Sequence, residues 1–452
     1  MNNSYQELAA KIIGTMLDDY TPEEILRCVN GAYDEKFDTK EIVPLRKISD
    51  GYLMELWHGP TSAFKDIALT ILPRLLTTAY QKDKRIDKIS ILTATSGDTG
   101  KAALSGFADV PHTAITVFYP EIGVSPIQKR QMQTSQGKNV EVIAVKGNFD
   151  DCQRMVKQAM SDGEVAASAK GITLSSANSI NIGRLVPQIV YYYSSYAKLI
   201  KEGAIHCGDV INFVVPTGNF GDILAGYMAK QLGLPIHQLI CASNSNNVLT
   251  DFLKTGVYSI QRPFHTTMSP SMDILVSSNL ERLLFMMSGN DDALIRKMMH
   301  QLKENGSYTI PDLLKETIQQ EFCGYWTTEE DCTLTMQELF QKEKILIDPH
   351  TAIALHAMRQ YQSETKDPHP CIVLSTASPY KFSRDVLRAV TKHELSNDFA
   401  AMKELQKLSG IPIPEGLAEL EQLPIRFEKS IEIKDGMHVI AQRMKEISNA
   451  DD

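Results

Sequence analysis

The sequence predicts an α/β protein with a mostly parallel sheet and flanking helices, and two observations carry that prediction. From Ile89 onward, short apolar runs alternate with amphipathic segments: ISILTA, GKAALSGFA, AITVFY, PIQKRQMQ and VEVIAV. The rhythm continues through FDDCQRMVKQAM, ITLSSA, GRLVPQIVYYYSSYAKLI, VINFVV, FGDILAGYMAKQLG and HQLICA. Strands that alternate with helices close right-handed β-α-β crossovers and so build a parallel sheet. Length is the second observation: 452 residues, 43% hydrophobic and 22% charged, can bury the cores of two or three globular domains.

The elements follow in order. Thr21, Pro22 and Glu24 read as a capping box with proline at the first helical position, so a helix begins there. YLMELW, Tyr52–Trp57, reads as a strand, and the run after Lys65 as a helix. Two glycine-rich turns stand at the carboxyl ends of strand candidates: TATSGDTGKAAL, Thr93–Leu104, and VVPTGNFGDILAG, Val214–Gly226. LSGIPIPEGLAELEQLPIRFEKS, Leu408–Ser430, is proline-rich and reads as irregular surface packing. No short-period repeat or low-complexity segment interrupts the chain.

Charge and cysteine usage narrow the class. With 46 basic and 55 acidic residues the formal charge is −9, which argues against nucleic acid or an anionic membrane as a general partner. Seven cysteines, without a CxxC pair, give neither a disulfide framework nor a zinc ribbon, and fit reduced thiols. The first residues lack a basic n-region and meet Asp18 and Asp19 before any long apolar stretch. No run is long enough to span a bilayer. A cytoplasmic enzyme is the expectation.

The two turns are the first candidates for chemistry. Glycines there let backbone N–H groups approach an anion, and the following helix adds its dipole. Neither turn is GxxxxGK[ST] and neither is GxGxxG, so P-loop and dinucleotide fingerprints are absent. Taken singly, each is as well read as a plain β-α turn. Lys65, in HGPTSAFKDIAL, has its own bland reading as a snorkelling surface lysine. Held in a partly desolvated pocket, however, a lysine has a lowered pKa and forms a Schiff base with an aldehyde. The aldehyde cofactor with a phosphate handle is pyridoxal 5′-phosphate, which needs an amine, a phosphate cradle and a partner for its pyridine nitrogen.

HGPTSAFKDIAL, TSGDTGKAAL, ANSINIGRL, PTGNFGDILAGYMAKQLGLPI and STASPYKF, in this order, resemble the threonine synthases. The resemblance runs from about His58 to Phe382. It implies the tryptophan synthase β-like fold: two open, mostly parallel sheet domains with flanking helices, here with an N-terminal helical segment. It implies pyridoxal phosphate as cofactor, no metal, and conversion of O-phospho-L-homoserine and water to L-threonine and phosphate. Lys65 corresponds to the Schiff-base lysine. Gly218, Asn219, Phe220 and Gly221 would cradle the cofactor phosphate, and Thr376 would face the pyridine nitrogen. Thr95 and Ser96 would hold the substrate carboxylate; Thr99, Asn178, Ser179 and Arg184 would hold its phosphate. Many relatives of the fold carry asparagine near the cofactor's phenolic oxygen, where this chain has Asp98. A carboxylate beside a phenolate is repulsive unless one of them holds a proton.

The expected organisation is an N-terminal helical segment at 1–50 and a larger cofactor domain from 51–80 and 190–395. A smaller substrate-side domain would take 81–189 and a C-terminal extension 396–452. The expected partner is a phosphorylated amino acid, in a monomer or homodimer. Other enzymes of the fold, a phospholyase or an amino-acid deaminase, stay open, as does a catalytically silent metabolite-binding protein. His58 reads as a turn-shaping residue or a catalytic one. His350 and His356 do not share a helix face, and Tyr191–Tyr193 reads as helix packing.

Overall fold

The computed structural model describes residues 4–84, 87–163, 165 and 171–449. The chain divides into two compact units. One comprises Val43–Trp57 and Gln188–Pro412; the other comprises Ser4–Ile42, His58–Pro187 and Ile413–Asp452. The strands are β1 (Leu45–Ile48), β2 (Gly51–Glu55), β3 (Lys88–Ala94), β4 (Thr113–Pro120), β5 (Val140–Lys146), β6 (Ile172–Ser176) and β7 (Ile211–Pro216). Then come β8 (Ile236–Ser243), β9 (Val257–Ser259), β10 (Ser307–Thr309), β11 (Phe322–Trp326), β12 (Cys371–Ser375) and β13 (Ser430–Glu432).

The first unit is built on a six-stranded sheet of order β1-β2-β12-β7-β8-β11. Every pair is parallel except the β1–β2 hairpin at the edge. β9 and β10 make a separate antiparallel pair. All six residues of β7 and all five of β12 are buried, the pattern of central parallel strands covered on both faces.

The second unit carries a five-stranded sheet, β13-β5-β4-β3-β6, parallel throughout. Successive residues of β3 and β4 serve opposite cores. Ile91, Ile115 and Val117 join Leu69, Phe107 and Met132 in one cluster, while Leu92 and Phe118 join Met155, Ile440 and Met444 in the other. That two-sided burial explains why TAITVFYP carries no polar alternation.

The C-terminal residues are part of this unit rather than an appendage. β13 extends the sheet beside β5, and the helix Gly436–Asn449 completes the second core through Ile440, Met444 and Ile447. Leu408–Ser430 is largely irregular, as its prolines predict, apart from the short helix Glu415–Ala418. Arg130 holds it by donating to the carbonyls of Leu420, Glu421 and Leu423.

The partition differs from the expected boundaries at Lys65. The segment from His58 belongs with 83–187, not with the sheet that includes β2. The reason is packing from the N-terminal side. The helix Pro22–Ala32 starts with the foreseen capping box, Thr21 accepting from the Glu24 N–H and Glu24 from the Thr21 N–H. Beyond it, the fully buried Tyr33 donates to the Ile67 carbonyl at 2.8 Å, and Tyr20 donates to that of Leu75 at 2.8 Å. On the other side, the Gly106 Cα lies against the Leu69 carbonyl so closely that no Cβ fits there. No helix among the described residues is long and apolar enough to cross a membrane.

Candidate active site

Lys65 opens the short helix Lys65–Leu69, directly after a turn in which Ser62 takes φ 59°. The neighbouring carboxylate fixes this turn: Asp66, 1% exposed, accepts from the Thr61 N–H at 2.8 Å and the Thr61 hydroxyl at 2.6 Å. Gly59 is required beside it, since a Cβ would come within 2.6 Å of Asp66 Oδ2. With Tyr33 holding Ile67 from behind, the backbone of Lys65 is anchored on both sides. Its side chain is 11% exposed, which removes the surface-lysine reading, and Nζ lies 4.7 Å from the Phe64 ring centroid. His58, at the start of the segment, pairs with Asp38 at 2.5 Å and so ties down the turn.

Nζ of Lys65 is 3.8 Å from Oδ2 of Asp98, the first residue of the helix Asp98–Phe107. The turn between β3 and that helix needs glycine at 97, where φ is 142° and an added Cβ would collide with the Gln128 amide. Thr95 Oγ1 accepts from the N–H groups of Gly97 at 2.9 Å and Gly100 at 2.8 Å. Oδ1 of Asp98 accepts from Gln128 Nε2 at 2.8 Å. Ser96 and Thr99 are half-buried on the same turn.

The segment after β6 meets this turn from the next strand. Asn178 brackets Ala94, accepting from its N–H at 3.1 Å and donating to its carbonyl at 2.6 Å. Arg184, 2% exposed, donates through Nη1 to the Ala177 carbonyl at 2.6 Å near the start of the helix Ile182–Lys201. Ser179 is half-buried between them in sequence. The expected residues of this unit therefore gather at the carboxyl ends of two paired strands, β3 and β6, where open α/β sheets bind ligands. Two of them have structural duties: the Thr95 oxygen and both ends of the Asn178 amide are engaged by backbone.

The other unit holds the remaining expected residues, also at carboxyl ends of neighbouring strands, β7 and β12. Phe220, φ 62°, precedes the helix Gly221–Gln231, and no side chain caps that helix. Its first N–H groups therefore lack intrahelical partners and point a positive dipole end outward. The loop carbonyls are turned away: that of Gly218 accepts from Ser277 Oγ at 2.8 Å and that of Asn219 from Asn279 Nδ2 at 2.9 Å. Gly218 cannot carry a side chain, because its Cβ would lie 2.5 Å from the Ser271 carbonyl oxygen. Thr376, 6% exposed, follows β12 directly.

Several supporting residues escaped the sequence reading. Ser375 Oγ contacts Trp57 Nε1 at 3.2 Å and Thr351 Oγ1 at 3.1 Å, which fixes the approach to Thr376. The buried Asp348–His350 pair, 2.6 Å apart, reaches the phosphate-type loop through Ser271, whose N–H donates to His350 Nε2 at 3.2 Å. Tyr191 and Tyr192, rather than merely packing, both donate to Asp222 in the first turn of the helix Gly221–Gln231. Lys381, inside STASPYKF, is completely buried. Only Gln128 left a readable signal, through the Ser125–Gln128 capping box.

A family model described as pyridoxal-phosphate dependent enzyme matches residues 41–376, and one described as threonine synthase, C-terminal, matches 351–435. Threonine synthase of Pseudomonas aeruginosa is 38% identical over 390 residues, covering 85% of this chain and 80% of that protein. The chain belongs to the threonine synthase family of pyridoxal-phosphate-dependent enzymes. The crystal structure of pyridoxal-phosphate-bound threonine synthase from Brucella melitensis is similar at 35% identity and a TM-score of 0.86, covering 99% of this chain and 90% of that one. The human protein named threonine synthase-like 1 is 37% identical over 433 residues, 93% of this chain. This chain spans only 57% of that relative's length. The cofactor of the family fits the residues present. Each unit offers residue chemistry that suits it: a nearly enclosed amine at Lys65 in one, and in the other an uncapped helix start beside the Cβ-excluding Gly218.

Proposed function

We propose that the chain converts O-phospho-L-homoserine and water to L-threonine and phosphate, as a carbon–oxygen lyase acting on a phosphate ester. The observation that carries this is the enclosed Lys65 amine 3.8 Å from Asp98, on a turn clamped to the Arg184 segment. Pyridoxal phosphate, when bound, would supply an electron sink for the negative charge that develops at Cα and then at Cβ of the substrate. The N–H groups at Gly218–Gly221 would hold the cofactor phosphate, and the Thr376 hydroxyl would serve as partner of the pyridine nitrogen. A hydroxyl there fixes no proton, so the electron sink is weaker than one with an aspartate partner.

Lys65 Nζ acts as the general base, taking the proton from Cα and then one from Cβ, after which phosphate leaves Cγ. Protons return to Cγ and Cα, and water adds at Cβ. Ser96 and Thr99 donate to the substrate's anionic ends, and the Arg184 guanidinium grips its phosphate. Thr95 and Asn178 act by holding the turn that presents them. Asp98, facing Lys65, would be the neighbour of the cofactor's phenolic oxygen. In this reading the partner is a phosphorylated amino acid, with a second copy of the chain at most. The free cysteines support a reducing, cytoplasmic setting.

The test is phosphate release from phosphohomoserine beside phosphothreonine, with threonine measured separately. Threonine formed from phosphohomoserine in equal amount to phosphate supports the proposal. Phosphate with a keto acid and no threonine would move the chain to the deaminating phospholyases.

A further inference from the structure

We propose that His237, Asp367 and His369 form a binding site for a divalent cation of the zinc class, remote from the substrate chemistry. All three belong to the unit with the six-stranded sheet, and their donor atoms lie within 4.8 Å of one another. His237 Nδ1 is 3.1 Å from Asp367 Oδ2, and His369 Nδ1 is 2.5 Å from Asp367 Oδ1. The two imidazoles lie with centroids 4.7 Å apart at an interplanar angle of 38°, and each turns its Nδ1 to the one carboxylate.

The carboxylate is held as ligating carboxylates are. Asp367 Oδ2 accepts from Asn212 Nδ2 at 2.8 Å and Tyr361 OH at 2.5 Å, and Oδ1 accepts from the His369 N–H at 3.0 Å. Burial alone would raise its pKa, but these hydrogen bonds hold it well below the usual carboxylate range. Asn212 also fixes the β8 side, accepting from the Gln238 N–H at 3.0 Å. A set of two imidazoles and a carboxylate, with outer hydrogen bonds in place, suits zinc and its neighbours rather than calcium or magnesium.

The spacing is that of a site contracted around protons. Donors at 2.0–2.1 Å from a tetrahedral zinc stand about 3.4 Å apart. The two imidazole–carboxylate distances, 3.1 and 2.5 Å, would open to about that value to admit the ion, with all three donors already within 4.8 Å of one another. Each ring would offer Nδ1 to the ion, and His237 and His369 are open enough for water to serve as fourth ligand. Asn212 and His237 lie at the amino-terminal ends of β7 and β8, and the Asp367–His369 turn precedes β12. The ion would thus tie β8 to β12 across β7, at the amino-terminal ends of these strands and not at the carboxyl ends that carry Gly218 and Thr376.

The experiment titrates chelator-treated, pyridoxal-phosphate-loaded full chain with zinc chloride by calorimetry, in a Cys207→Ser background that removes the exposed thiol. Saturable binding of one ion per chain is expected. His237→Gln and His369→Gln should each weaken it by about 100-fold or more, and Tyr361→Phe by about 10-fold. Zinc should raise the thermal midpoint of the parent and leave that of the His237→Gln/His369→Gln double variant unmoved. Absence of saturable binding, or equal affinity in the double variant, would overturn the site.

Discussion

Lys65 Nζ stands 3.8 Å from Oδ2 of Asp98, while the other oxygen of that carboxylate accepts from Gln128. Lys65 thus lies beside one oxygen of the carboxylate and the Gln128 amide beside the other. A negative oxygen there keeps the amine's immediate field favourable to a cation, yet the amine must be neutral to act as base. In the proposed reaction this carboxylate would steady the ammonium form that Lys65 takes on accepting a proton.

Lys65→Ala should abolish phosphate release from phosphohomoserine and leave no protein-bound adduct after borohydride treatment, read by mass spectrometry. Asp98 keeps its bond from Gln128 and the Thr95 turn keeps its backbone bonds without the lysine, so the variant should fold. Undiminished turnover would remove Lys65 from the reaction.

Gln128 tests the other half of the arrangement. In Gln128→Glu the helix cap at Ser125 keeps its acceptor, but two carboxylates now face each other across 2.8 Å. They repel unless they share a proton. kcat/KM should fall by about 10–100-fold, the scale of a lost hydrogen bond to a charged group. Part of the loss should return at acid pH, where the shared proton is available. A flat pH ratio between variant and parent would mean that Gln128 only caps its helix.

Much of this was legible in the chain, for local reasons. β3, β4 and β7 announce themselves because both faces are buried, and Gly97 and Gly218 because no other residue fits. What was not legible depends on non-local partners. Nothing near His58 marks the passage from one unit to the other; the decisive contacts are those of Tyr33 and Tyr20 with Ile67 and Leu75. β13 and the last helix were missed because a three-residue edge strand has too short a period to read. The Asn178 clamp follows from β3 pairing with β6, a neighbour distant in sequence.

That clamp gives a prediction of its own. Asn178→Ala would leave the Ala94 N–H and carbonyl without their side-chain partners, at a cost of about 1–3 kcal/mol per group left buried and unpaired. The thermal midpoint should drop, and kcat should fall with little change in KM, because the turn is displaced rather than a ligand removed. A rise in KM alone at unchanged stability would instead make Asn178 a direct phosphate contact.

Gly218→Ala should act on cofactor retention. The new methyl would lie 2.5 Å from a backbone oxygen of Ser271, which His350 holds in place. The strain, about 1–3 kcal/mol, falls on the loop that carries the N–H cradle. Pyridoxal phosphate affinity should weaken by about 5–150-fold in equilibrium titration, with the apo fold's circular dichroism unchanged. Unaltered affinity would place the phosphate elsewhere.

Arg184 decides the substrate. It is 2% exposed near the start of the helix Ile182–Lys201, where the dipole is unfavourable to a cation by about 0.3–1 kcal/mol. One guanidinium nitrogen is fixed on the Ala177 carbonyl at 2.6 Å, which sets the plane of the group beside the clamp formed by Asn178. A planar, pre-oriented guanidinium is well made for a bidentate grip on phosphate. If the grip persists as phosphate departs, its removal harms both binding and chemistry. Arg184→Leu should lower kcat/KM for phosphohomoserine by about 100-fold or more, the scale of a lost charge-assisted contact of about 3 kcal/mol. Arg184→Lys keeps the charge but not the fork and should recover only part of that loss. The cofactor's visible absorbance should be intact in both variants, since the proposal assigns its phosphate to Gly218–Gly221. Near-normal kinetics in the leucine variant, at parental stability, would leave the phosphorylated substrate without its anchor and return Arg184 to a purely structural hold on Ala177.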